Sequence, residues 1–250
     1  MARPRHLPRA PIREAIIQIQ FGPPVELSSI QKFASSVAKD FGKTTDIWQA
    51  SFGVRFDQEK TESAAANPVL IGKRLDSVDG REVLQCTVNA FSFSRLTPYM
   101  DWAHIRDSAK RLWDLYVLSV KPTSVTRLAV RYINALPIPL PVAELNDYFT
   151  AAPEVPSTLP QLMRAFLQRV VIFDETTNTF VTIIQASDED AEARSLTNQA
   201  TILFDIDAYQ HVNLGSNDSN TVWGKFEELR DFKNRVFFEH ITEKAAGLFE

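Results

Sequence analysis

One succession of elements occurs twice along these 250 residues, and it leaves few architectures open. In the first half, residues 12–21 alternate Ala15, Ile17, Ile19 and Phe21 with polar side chains, the period of a half-buried strand. Residues 27–41 place Leu27, Ile30, Phe33, Ala34 and Val37 at helical spacing, with Gly42 as a stop. Residues 46–58 alternate Trp48, Ala50, Phe52, Val54 and Phe56, again as a strand. Residues 67–96 hold two apolar runs around the hairpin dipeptide Asp79-Gly80. A long helix follows over 99–120, with Trp102, Ile105, Ala109, Leu112 and Tyr116 inward. The order is β-α-β-β-β-α.

The second half returns to that order: a strand at 125–136 and a short helix at 142–149 after a proline-rich corner. Strands at 167–175 and 178–187 join through a tight turn at Thr176-Thr177, and a third runs over 198–212. A closing helix spans 220–249, with Trp223, Phe226, Leu229, Phe232, Val236 and Phe237 inward. Both long helices carry a tryptophan near their start, about half the chain apart. The expected fold class is therefore α+β: a duplicated β-α-β-β-β-α unit forming a long curved antiparallel sheet with two long helices on one face. Residues 1–11 are a basic tail, 12–122 the first repeat and 123–250 the second, fused as one domain. The element order resembles that of TATA-binding-protein-like and helix-grip folds, which implies architecture and no activity.

Composition narrows the function classes. Hydrophobic and charged fractions of 44% and 23% are those of an ordinary globular protein. No apolar run is long enough to span a membrane, and the first residues lack a secretory apolar core. Arg3, Arg5, Arg9 and Arg13 make that start a basic, proline-broken tail, read as disordered or loosely docked. A net charge of −4 argues against a general grip on duplex DNA. The lone cysteine, Cys86, lies in an apolar strand; it excludes an internal disulfide and suits a reducing cytoplasm.

The stretch RLAVRYIN (127–134) raises the functional question. Leu128, Val130 and Tyr132 face one way, while Arg127 and Arg131 share the other face, roughly 13–14 Å apart at strand rise. The same alternation puts Glu14, Gln18, Gln20, Gln49, Ser51, Arg55, Asp205, Asp207 and Tyr209 on that polar face, with His211 beside them. Three readings stand: a solvated face with cross-strand ion pairs such as Arg131 with Asp205 or Asp207, a concave surface binding a partner or an acidic ligand, and a cation held by Asp205 and Asp207. The candidate binding residues are Arg55, Arg127, Arg131, Asp205, Asp207, Tyr209 and His211. No catalytic set, metal site or cofactor is assigned.

Nucleophile-elbow, phosphate-loop and dinucleotide motifs are absent from the sequence. Of the four histidines, His6 lies in the tail, His104 and His240 read as solvent-facing on helices, and His211 alone is a candidate acid or base. The loops at 57–68 and 186–198 are candidates for partner contact.

Several pieces, in order along nearly the whole chain, resemble a sporadically distributed family of uncharacterised bacterial and archaeal proteins of about this length. They are APIREAIIQIQF, LTPYMDW, RLAVRYIN, LNDYF and FFEHITEKAAGLF. The resemblance implies no settled activity, but its patchy distribution implies an accessory role in defence or toxin neutralisation. The expected function is a non-catalytic binding protein whose partner is another protein. The alternative is a sensor or enzyme for a phosphorylated small molecule or RNA.

Overall fold

The computed structural model describes residues 1–50, 67–140, 144–161, 163–187 and 199–250, with the backbone alone of strands 52–56 and 61–65. Nine strands form one antiparallel sheet, and helices pack on one of its faces, an α+β arrangement. In chain order the elements are β1 (Ile12–Gly22), α1 (Leu27–Val37), β2 (Phe41–Gln49), β3 (Phe52–Phe56), β4 (Thr61–Ala65), β5 (Val69–Ser77), β6 (Glu82–Thr87), β7 (Ala90–Leu96) and α2 (Trp102–Val120). Then come β8 (Ser124–Pro139), β9 (Leu167–Asp174), β10 (Thr179–Ser187), β11 (Gln199–Gly215), α3 (Ser219–His240) and α4 (Glu243–Gly247). The sheet order is β2-β5-β6-β7-β1-β8-β11-β10-β9, so β1 and β8 pair at its centre and β2 and β9 are its edges.

Alternation decides which face is covered. Ala15, Ile17, Ile19 and Phe21 of β1 and Leu128, Val130 and Tyr132 of β8 are buried under the helices. Phe21, Phe91, Trp113 and Tyr116 pack ring against ring, with centroids 5.4 to 6.3 Å apart. Each such ring contributes roughly 1.5–3 kcal/mol by burial. The helices α2 and α3 run antiparallel and are tied by side chains. Trp102 Nε1 donates to both Glu227 oxygens at 2.9 and 2.8 Å, Arg106 reaches Glu227 at 3.0 Å, and Lys110 donates to the Ser219 hydroxyl at 2.7 Å. Burial pushes the Glu227 carboxyl up, but these two donors outweigh it and hold it below the usual carboxylate range.

Several expected elements are redrawn. The helix expected to reach 41 ends at Val37, passes through a 3-10 turn at Ala38–Asp40, and Phe41 already opens β2. The single strand expected over 46–58 is two: β2 stops at Gln49, and β3 pairs in a separate two-stranded sheet with β4, which lies inside the span 57–68 read as a loop. Trp48 is 58% exposed on edge strand β2, where Phe41 alone is buried. Residues 67–96 fold as three strands; a second turn at Val88-Asn89 splits the run after the Asp79-Gly80 hairpin, where Gly80 takes φ +69°. Of the helix expected at 142–149, residues 141–143 lie outside the described residues and the rest makes a 3-10 turn at Leu145–Asp147, as Asn and Asp favour turns over helix interiors. The closing helix breaks at Ile241, whose extended backbone bridges to Phe149; Thr242 then caps α4 through its hydroxyl.

The basic start is docked. Ala2 N donates to the Phe238 and Ile241 carbonyls at 3.0 and 2.7 Å, Arg5 pairs with Glu243 and Glu250 at 2.9 and 2.8 Å, and Ala2 and Leu7 are buried. Cys86 is fully buried, and burial pushes its thiol well above the ordinary range, which makes it a packing residue. Among the described residues, no helix is long and apolar enough to cross a membrane.

Candidate functional site

The face of the sheet opposite the helices carries the charged side chains of β1, β8 and β11. Register fixes who can meet whom: Arg127 stands opposite His211, Ala129 opposite Tyr209, Arg131 opposite Asp207 and Ile133 opposite Asp205. Arg131 reaches one row along, and its planar fork grips Asp205 through Nε at 2.9 Å and Nη2 at 2.5 Å. Arg127 reaches two rows, over the small Ala129, and meets Asp207 at 2.8 Å. On the way its guanidinium lies across the Tyr209 ring at 4.2 Å, and its other amino group donates to Gln18 on β1 at 2.7 Å.

These partners change what the arginines can recognise. Both forks are engaged, Arg127 by a carboxylate and an amide and Arg131 by Asp205 through Nε and Nη2, although the Arg131 side chain stays 43% exposed. Arg127 is largely covered, its side chain 14% exposed. Burial raises the Asp207 carboxyl, and Arg127 offsets only part of that rise. The close contact and the raised value thus point in opposite directions for stability. The desolvation cost carries more weight here because burial is the largest single effect on Asp207, with Asp205 adding a little to it, so the pair fixes orientation more than it stabilises.

Beside this lattice the face sinks into a depression of about 350 Å³. Arg127, Arg131 and Asp207 line it together with Glu14, Gln18, Gln20, Gln85, Ser92 and Ser94, so its wall carries two cations and two acids among neutral donors and acceptors. On the other side the rings of Phe173, Phe180 and Tyr209 form a ladder across β9, β10 and β11, with centroids 4.4 and 5.3 Å apart and planes within 28° and 9°. His211 meets Phe180 and Tyr209 edge-on at 5.8 and 5.6 Å. The faces of Phe180 and Tyr209 are thus turned to neighbouring rings and to Arg127, while Phe173, at the end of the ladder, stacks on Phe180 and is 44% exposed. Beyond the ladder, edge strand β9 exposes Leu167, Val170, Val171, Ile172 and Phe173, apolar on both of its faces.

Six of the seven candidate residues therefore gather on one face: Arg127, Arg131, Asp205, Asp207, Tyr209 and His211. Arg55 lies on β3, whose side chains are outside the described residues, as are residues 57–60 and 188–198 of the two candidate loops. Among the described residues His211 meets aromatic rings and makes no hydrogen bond to a hydroxyl or carboxylate that would set it up as an acid or base. His104 and His240 are part-covered, with His104 3.5 Å from Glu82 and His240 Nδ1 2.8 Å from the Val236 carbonyl. Among the described residues no three His, Cys, Asp or Glu side chains gather as metal ligands, and Asp205 and Asp207 are spent on arginines.

Sequence reasoning missed two features. The apolar edge of β9 reads in the sequence as an ordinary strand, though its run of four apolar residues, 170–173, does not alternate. Lys233 was passed over, yet it sits four residues after Leu229 and three before Val236, on the inward stripe of α3. No known family model matches the sequence, and no curated protein matches it.

Proposed function

We propose that this chain is a non-catalytic binding protein that takes another protein across the open sheet face and the adjoining edge strand β9. The observation that carries the reading is the continuity of that surface. Exposed apolar β9 leads through the aromatic ladder to Arg127 and on to the polar depression, a mixture typical of protein contact surfaces. The carboxylates already paired with both arginines weigh against the phosphate reading, since an anion in the depression would have to compete with Asp205 and Asp207 for them. The outer edge of β9, unpaired among the described residues, offers backbone groups for strand addition by a partner.

The strand order supports a duplicated plan. β1 and β8 meet at the centre, and each half runs outward from that seam through its own later strands, with α2 and α3 closing them. On this reading the open face is one continuous surface made by both halves. The family that the sequence resembles supplies a setting, an accessory protein of a defence or toxin–antitoxin system.

The test is affinity capture from the host with wild-type protein and with a Phe173→Ser, Val171→Lys double variant. A stoichiometric protein recovered by the wild type and lost by a variant that melts normally supports the proposal. Equal recovery by both proteins sinks it.

A further inference from the structure

Behind the strand that presents Arg127 and Arg131, on the helix side of the sheet, lies a second and larger cavity of about 640 Å³. It is roofed by the docked N-terminal segment and walled by Tyr99, Trp102, Tyr132 and Phe237, with Lys233 reaching in from α3. A volume of this size is in the range of small-molecule sites, roughly 300–1,000 Å³.

Lys233 is the feature that packing does not explain. It is 7% exposed, and its ammonium sits 3.5 Å from the centre of the Tyr132 ring and 2.6 Å from the Asn234 amide oxygen. Among the described residues no carboxylate lies within ion-pair distance of it. The other charged and titratable groups around the cavity are committed or like-charged. Asp101 caps α2 by accepting from His104 N at 2.7 Å. Arg5 is held by Glu243 and Glu250, Arg9 by the Glu250 carbonyl, and Arg230 by Asp231 at 2.8 Å. His6 adds a further basic group, and Tyr99 and Tyr132 join hydroxyls at 2.9 Å. That contact uses one of the two hydroxyl protons and leaves the other to donate elsewhere.

A buried ammonium without a counter-charge is costly to a fold, and burial, with Arg230 adding to it, drives the Lys233 amine well below its ordinary range. An acid placed in the cavity would reverse that balance and find the spare tyrosine proton and aromatic walls already arranged. We propose that this cavity binds a small organic acid with an aromatic or apolar body, its anionic group pairing with Lys233. The site is independent of the open sheet face.

The experiment uses two fluorescent probes with the same ring body, anilinonaphthalenesulfonate, which is anionic, and N-phenylnaphthylamine, which is neutral. Each is titrated into the full chain and into Lys233→Met, with Lys233→Gln in its place should the first variant not fold. The expected result is one saturable sulfonate site per chain, weakened at least about tenfold in the variant while the neutral probe changes by less than about twofold. A sulfonate affinity that the variant leaves unchanged, equal losses for both probes, or no saturable sulfonate binding would each overturn the proposal.

Discussion

Arg127 is held by three different groups, and its removal tests how the open face is built. Arg127→Met leaves Asp207 part-buried without its ion pair, and a loss of about 1–3 kcal/mol in thermal or denaturant unfolding is expected. The pH dependence has a definite sign. Asp207 already sits above the usual carboxylate range, so the native state holds its proton where the unfolded state has lost it, and that contribution weakens as pH rises. Without Arg127 the rise is larger, and the variant should recover part of its loss on acidification. Lys233→Met has the opposite sign. The native amine gives up its proton below the unfolded one, so Lys233 makes stability increase as pH rises from the lowered value towards the ordinary lysine range. The variant should melt higher than wild type near neutrality and show a shallower increase in stability towards alkaline pH. The arginine pair was legible in the sequence because period-two alternation assigns faces. The identity of its partners was not, because Arg127 reaches two rows along the strand and that choice is made by the small Ala129 between them.

Among the elements, the β5–β6 pair shows how backbone contact is fixed by one residue. A Cβ at Gly72 would lie 2.1 Å from the Cys86 carbonyl oxygen and 2.8 Å from Thr87 Cα, both backbone atoms that cannot turn aside. Gly72→Ala should therefore cost about 1–3 kcal/mol, seen as a lowered melting temperature, through displacement of β5 from β6. That close approach sits beside the register shift between Ile47 and Trp48 on β2, so the same substitution should loosen the sheet edge and speed amide exchange there. Strands and helices with strong periodicity, such as β1, β8 and α2, could be placed from the sequence because core burial and pattern agree. Elements at the sheet edges and corners could not. β2 alternates but buries only Phe41 at its start, and the turn at Leu145–Asp147 is too short for periodicity to register.

At the scale of the whole molecule, one sheet separates two chemistries. Its helix side is a continuous apolar core interrupted by a lysine-bearing cavity, and its open side is a lattice of paired charges and stacked rings that ends at an apolar edge. The central claim is that the open side and β9 together hold a protein partner. Native mass spectrometry of the chain recovered from its own host, without added ligand, tests it most directly. The account predicts a complex with a second protein in fixed ratio, lost when Phe173 and Val171 are replaced by serine and lysine. A chain recovered alone, or carrying a phosphorylated small molecule in place of a protein, would contradict it.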